Sequence, residues 1–258
     1  MGYDMLKIPW ISISVVQPNL DRAAAWIFVL SNRERVRRSL RAVQHHAQLD
    51  QTAAHHSIDM ARRGYFDHLD PEGRGPQDRM RLLCPELIGG VGENLALISA
   101  EHEESLARSV VSGWMNSRGH RENLLTPTHT HMGIQLLQIG SQVYATQLFT
   151  GMVAELLEPG LPLHVRFGEQ RLLRFRFHDE SLRGDLMVLF EVPDPQAWVP
   201  VGNGRFTRGV AMLKPQWESK TDFRVIFSAQ YGRGSYRICV GRASTSHYCR
   251  PGIELNVL

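Results

Sequence analysis

The feature that most restricts the fold is a change of hydrophobic period near Thr130. Before it, apolar residues recur at three- and four-residue intervals. After it, they alternate with polar residues. A helix presents one face every 3.6 residues and a strand every two, so the chain predicts helices first and strands afterwards.

In the first half, Leu20, Ala23, Ile27 and Leu30 form an amphipathic stripe, with Asn19 or Asp21 as its N-cap. Leu49, Ala53, Met60 and Ala61 form a second, which should stop at Gly64. The segment "DHLDPEGRGPQDRM" reads as a loop running into a short helix at Asp78–Leu83, and "IGGVGEN" as a glycine-rich turn. Leu106, Val110 and Trp114 are four apart and predict a helix ending at Gly119. Arg33, Arg37 and Arg41 fall on one helical stripe and read as a solvated face.

Beyond Thr130, Met132, Ile134 and Leu136 alternate, as do Val143, Ala145, Gln147 and Phe149, with "IGSQ" between them as a hairpin turn. Alternating triplets return at Leu173, Phe175 and Phe177, at Leu186, Val188 and Phe190, at Phe223, Val225 and Phe227, and at Tyr236, Ile238 and Val240. These readings divide the 258 residues into an N-terminal arm (1–18), an α-β-α layered domain (19–157) and an all-β antiparallel sandwich (158–258), an α+β chain.

A net charge of +3 is too small to imply nucleic acid, and no run reaches the roughly 18 apolar residues of a transmembrane segment. The stretch Lys7–Val16 has one basic residue and a short apolar run but no small-residue cleavage site. Cys239 and Cys249 flank a predicted hairpin, where a disulfide suits an oxidising compartment; Cys84 is isolated.

Nine of the twelve histidines fall at or before His131, so chemistry is sought in the first half. His45 and His56 share a helix face but lie about three turns apart, too far to share a metal. "HEESL" at His102 lacks the second imidazole of a zinc-protease helix. His129 and His131 fall on one strand face and read as loop or solvent residues. Three segments remain: "YFDHL" with His68, "VGENLA" with Glu93 and Asn94, and "GHREN" with His120. Each sets a polar group in a glycine-flanked turn beside an apolar anchor.

Six motifs occur in order: "LSNRERVR", "HSIDMARRGYFDHLDPEG", "GENLA", "GWMNSRGHRENLLTP", "MGIQLL" and "YATQLF". Together they resemble the CAP superfamily (cysteine-rich secretory proteins, antigen 5 and pathogenesis-related proteins), in its bacterial SCP-like branch, over about residues 20–149. The resemblance implies an α-β-α sandwich and a secreted, periplasmic or cell-envelope location. It implies a cleft with two histidines and two acids, in which the histidines of some members hold a divalent metal such as zinc. By motif, His68 and His120 are those histidines and metal ligands, and Glu93 is the first acid. The second acid falls at Ser117, a departure that removes a negative charge.

The expected function is therefore a binding protein that takes a small ligand, glycan, lipid or peptide at His68, Glu93, Asn94 and His120. The β-sandwich would offer a surface to a protein partner. The alternatives are a metal-dependent, peptidase-like hydrolase, with Glu93, His68 and His120 as catalytic residues, and an interaction module with a vestigial cleft.

Overall fold

The structure, a computed structural model, describes residues 19–99, 102–178, 180–202, 204–242 and 250–258. The expected N-terminal arm and Cys249 lie outside the described residues.

Helix α1 (Leu20–Val36) starts at Asn19, whose side chain accepts from the Arg22 amide. After the short β1 (Gln44–His45) comes α2 (Ala47–Arg63), closed by Gly64 in the left-handed region at φ 71°. Helix α3 (Pro76–Leu83) has proline at its start, where the missing N–H costs nothing. It leads to β2 (Leu87–Ser99), α4 (Glu103–Asn116), α5 (Arg118–Leu124) and the hairpin of β3 (His131–Ile139) and β4 (Gln142–Glu158).

The hairpin and β2 form the middle layer of the α-β-α sandwich. Strand alternation sends Val143, Ala145 and Phe149 of β4 toward α1 and α4, where they pack with Ile27, Leu106, Val110 and Trp114. Leu148 and Met152 take the other face, with Leu49 and Ala53 of α2 and Met80 of α3.

Three expectations are corrected here. "IGGVGEN" is strand, not turn: β2 pairs antiparallel with β4 from Leu87 opposite Glu155 to Ser99 opposite Gln142. Its glycines serve close approach. At Gly89, beside a bulge, an added methyl carbon would lie 2.6 Å from Thr150 Oγ1 and 2.8 Å from the Gly151 carbonyl. The helix of Trp114 ends at Asn116, and the Ser117 amide donates to the Gly113 and Trp114 carbonyls; Gly119 and His120 belong to the next helix, α5. Arg41 lies beyond the end of α1, so the basic stripe is broken, and Arg35 points inward, fully buried.

Strand β4 does not stop with the α-β-α layer. At Ala154 it pairs with Ile88 of β2 on one edge and Phe177 of β6 (Gln170–Phe177) on the other. At Thr150 it pairs with Val91 of β2 and His131 of β3. β3 and β6 therefore lie end to end along one edge of the same strand.

The sheet continues from β6 through β12 (Asp222–Ser228) to β11 (Gln216–Trp217). A second sheet runs β10 (Val210–Leu213), β7 (Leu186–Glu191), β13 (Gly234–Arg242), β14 (Arg250–Val257) and β5 (His164–Val165). Strands β8 (Trp198–Gly202) and β9 (Arg205–Arg208) form a hairpin. The expected alternating residues meet between the two sheets: Leu173, Phe175, Phe177, Phe223, Val225 and Phe227 against Val188, Phe190, Tyr236 and Ile238. The C-terminal region is thus a β-sandwich, antiparallel save for β5 against β14, and its core also takes Ile88 and Val153. Cys239 on β13 is disulfide-bonded and Cys84 is a free, buried thiol.

Candidate functional site

Glu93 sits on β2 with its side chain 1% exposed. A buried carboxylate must be paired and hydrogen-bonded, or it gives up its charge. Both oxygens are taken: Oε2 accepts from Arg79 Nη2 at 2.7 Å, and Oε1 lies 2.8 Å from His68 Nδ1.

Arg79 is itself buried and comes from the inner face of α3. Its Nη1 also donates to the carbonyls of His68 and Arg74, at 3.0 Å each. One guanidinium thus holds both the carboxylate and the loop that presents His68. That loop is further tied by Asp70, which accepts from the Glu72 and Arg74 amides and from Arg74 Nε. The His68 side chain is half exposed, so a buried acid steadies an imidazole at the surface.

A third histidine lies beneath. His56 of α2 is fully buried, with Nε2 3.0 Å from the Asp67 carbonyl and 3.9 Å from Glu93 Oε1.

His120 is half-buried in the first turn of α5. Asn94, the neighbour of Glu93 on β2, reaches it: Nδ2 donates to the His120 carbonyl at 3.3 Å and to Gln147 Oε1 at 3.0 Å, and Oδ1 accepts from Asn123 Nδ2 at 3.0 Å. Asn94 therefore joins β2, β4 and α5. Trp114 is core, its indole N–H donating to the Leu95 carbonyl at 2.9 Å.

The two surface imidazoles are driven apart in proton affinity. The hydrogen bond to Glu93, helped by its charge and opposed by partial burial, raises His68 above the usual value. Burial, and then the His68 charge itself, lowers His120. His68 therefore contributes stability below its unfolded value near 6.5, lost as pH rises through its folded value. The site thus offers one ring inclined to carry a proton beside one inclined to be neutral.

The donor set does not suit a resident metal. Glu93 is committed to Arg79 and His68, Ser117 supplies no carboxylate, and two imidazoles fall short of the three protein ligands usual at open zinc sites. Among the described residues, no group of three or more His, Cys, Asp or Glu is placed to hold a metal ion.

Sequence reasoning singled out His68, Glu93, Asn94 and His120. The structure joins His68 to Glu93 directly, and Glu93 to His120 through Asn94. Arg79 and the buried His56 complete the arrangement. Arg79 carried no such signal: an arginine on a short polar helix reads as solvated until its buried carboxylate partner is seen.

Comparison with known proteins places these residues in a family context. The model of the CAP family, described as the cysteine-rich secretory protein family, matches residues 30–151. An uncharacterized protein of Bacillus subtilis (strain 168), YkwD, is 38% identical over 122 residues, which are 47% of this chain and 44% of that protein. An uncharacterized membrane protein of the same strain, YlbC, is 30% identical over 123 residues, 48% of this chain and 33% of that one. A solved extracellular protein containing a SCP domain, from Bacillus anthracis strain Ames, shows 32% identity and a TM-score of 0.43, covering 51% of this chain and 41% of its own. The matched segment spans less than half the length of each of these relatives.

Proposed function

Since the chain carries a CAP domain of the bacterial SCP-like kind over residues 30–151, we propose that this domain is an extracellular or cell-envelope binding module whose ligand is held by His68 and His120, without a metal. The observation that carries the reading is the burial of Glu93 between Arg79 and His68. A general base must present a free carboxylate oxygen to its proton or water. The Glu93 side chain is 1% exposed, with Arg79 on one oxygen and His68 on the other. What is left at the surface is a pair of imidazoles of unlike proton affinity, braced from below. His68 donates to an acceptor on the ligand, and His120 receives or donates as a neutral ring. A glycan, a peptide, a lipid headgroup or another small polar ligand supplies such groups.

The surroundings agree. No helix among the described residues is long and apolar enough to cross a membrane. The disulfide at Cys239 belongs to an oxidising compartment. The β8–β9 hairpin leaves Trp198 and Phe206 62% and 57% exposed, which supports a protein contact through the β-region.

The test pairs recognition with chemistry. Glycan, peptide and lipid arrays are probed with the wild type and with His68→Ala and His120→Ala. Zinc is titrated by calorimetry, and a fluorogenic peptide library is screened for cleavage. The expected result is array binding that both variants lose, with no stoichiometric zinc heat and no cleavage. One equivalent of zinc lost in His120→Ala, together with cleavage abolished in Glu93→Gln, would replace the binding reading with the hydrolase.

A further inference from the structure

A second group of histidines lies away from this site, where β3 and β6 meet end to end on β4. His131 opens β3 and is 5% exposed. His178 immediately follows β6, and its amide donates to the Val153 carbonyl at 2.9 Å. His46 is the N-cap residue of α2, and its amide donates to the Met132 carbonyl at 3.1 Å. The rings of His46 and His131 meet edge to face at 5.6 Å between centroids, and those of His131 and His178 at 5.1 Å. Three elements distant in sequence are thus fastened by three imidazoles in a row.

The charges facing the row do not balance three protons. Glu155 of β4 faces both ends, 3.7 Å from His178 Nε2 and close enough to favour charge on His46. Glu86 and Asp50 also face His46. Glu86 accepts a hydrogen bond from Gln48, and Asp50 is held by His45 at 2.5 Å and by the Ile134 amide at 2.7 Å. Against them stand His45 beside His46 and Arg176 beside His178. His131, in the middle, has its Nδ1 2.9 Å from the Thr130 hydroxyl, and among the described charged and titratable groups it faces the other two rings. Neutral rings suit this packing, and an imidazolium on two neighbours does not.

We propose that His46, His131 and His178 form an acid-released clasp, which holds the segment at the end of β6 onto α2 and β3 near neutral pH and lets it go on mild acidification. Burial supports this, since it lowers all three and, with the two flanking rings, pushes His131 down to about 4. The sign follows. The opened segment takes up protons near the ordinary value of about 6.5 and the closed one does not, so closure weakens as pH falls below that value. The sheet itself persists, because β4 still pairs with β2 and β6 and the sandwich core is apolar.

Hydrogen–deuterium exchange, corrected for intrinsic rates, is compared at about pH 7 and about pH 5, on either side of the histidine range. Peptides covering His46, His131 and His178 are expected to open about tenfold or more faster at the lower pH, relative to Tyr236–Val240 in the sandwich core. In His178→Gln that difference should shrink by most of its size. Unchanged relative exchange in the wild type, or an undiminished difference in the variant, overturns the clasp. Should the variant fail to fold, the wild-type ring titration decides. Protonation of His131 below about 6.5 that coincides with the rise in exchange upholds the proposal, and titration of His131 near about 6.5 with no rise in exchange overturns it.

Discussion

Replacing Arg79 by methionine is expected to cost the fold about 3–5 kcal/mol, the usual penalty for stripping one partner from a buried ion pair. The methionine keeps much of the stem volume, so the loss is electrostatic. Glu93, 1% exposed, would keep His68 but lose its only bond to a permanent cation. The His68 and Arg74 carbonyls would lose their donor too, and the loop carrying His68 would loosen. For a chain of this size the melting temperature should fall by about 10 °C. Urea denaturation with a circular-dichroism readout gives the number. A double variant, Arg79→Met with Glu93→Gln, should recover more than half of it, because the buried charge has gone with its partner. Equal losses in the single and double variants would mean that Arg79 acts through packing alone.

Arg35→Met should be about as damaging, by another route. Arg35 is fully buried and meets no carboxylate among the described residues: its guanidinium donates to the carbonyls of Arg41 at 3.0 Å, Leu124 at 2.8 Å and Thr126 at 2.9 Å, and reaches the His129 carbonyl at 3.4 Å. Burial lowers its proton affinity, but not enough to discharge a guanidinium. Without it, the buried Leu124 carbonyl and the part-buried ones of Arg41, Thr126 and His129 lose their donor, at about 1–3 kcal/mol each where water does not enter. We expect a net loss of about 3–5 kcal/mol by urea denaturation. Exchange protection should fall at residues 124–130, the stretch between α5 and β3. Arg35→Lys should restore little, since a single ammonium does not span carbonyls set in different directions. A loss under about 1 kcal/mol would show that the segment is held by other contacts.

Both arginines show where sequence reasoning stopped. Ile27, Ser31 and Arg35 are four apart on the inward face of α1, yet an arginine among five in a short run reads as solvated until its carbonyl partners appear nearly ninety residues away. The period change near Thr130 was legible because alternation is local. So were the caps of α1 and α2, which depend on neighbouring residues. The glycines of "IGGVGEN" gave no side-chain alternation, and their strand character comes from β4, about sixty residues downstream. The end of the Trp114 helix was misplaced because Gly119 resembles a stop signal, whereas the break falls at Ser117 and a new helix begins at once. His131 and His178 could not be linked from sequence, since their meeting depends on two strands sharing one edge of β4. The motif residues themselves, His68, Glu93, Asn94 and His120, were readable, while the arginine that fixes Glu93 was not.

Three separated segments bring a carboxylate and two imidazoles into one electrostatic unit. The direct measurement is an NMR pH titration of the His68 and His120 rings in the wild type and in Glu93→Gln. His68 should titrate above about 6.5 and His120 below it, and Glu93→Gln should move His68 down while relieving the repulsion on His120. Two rings that both titrate near the ordinary value, unmoved by the substitution, would contradict the account.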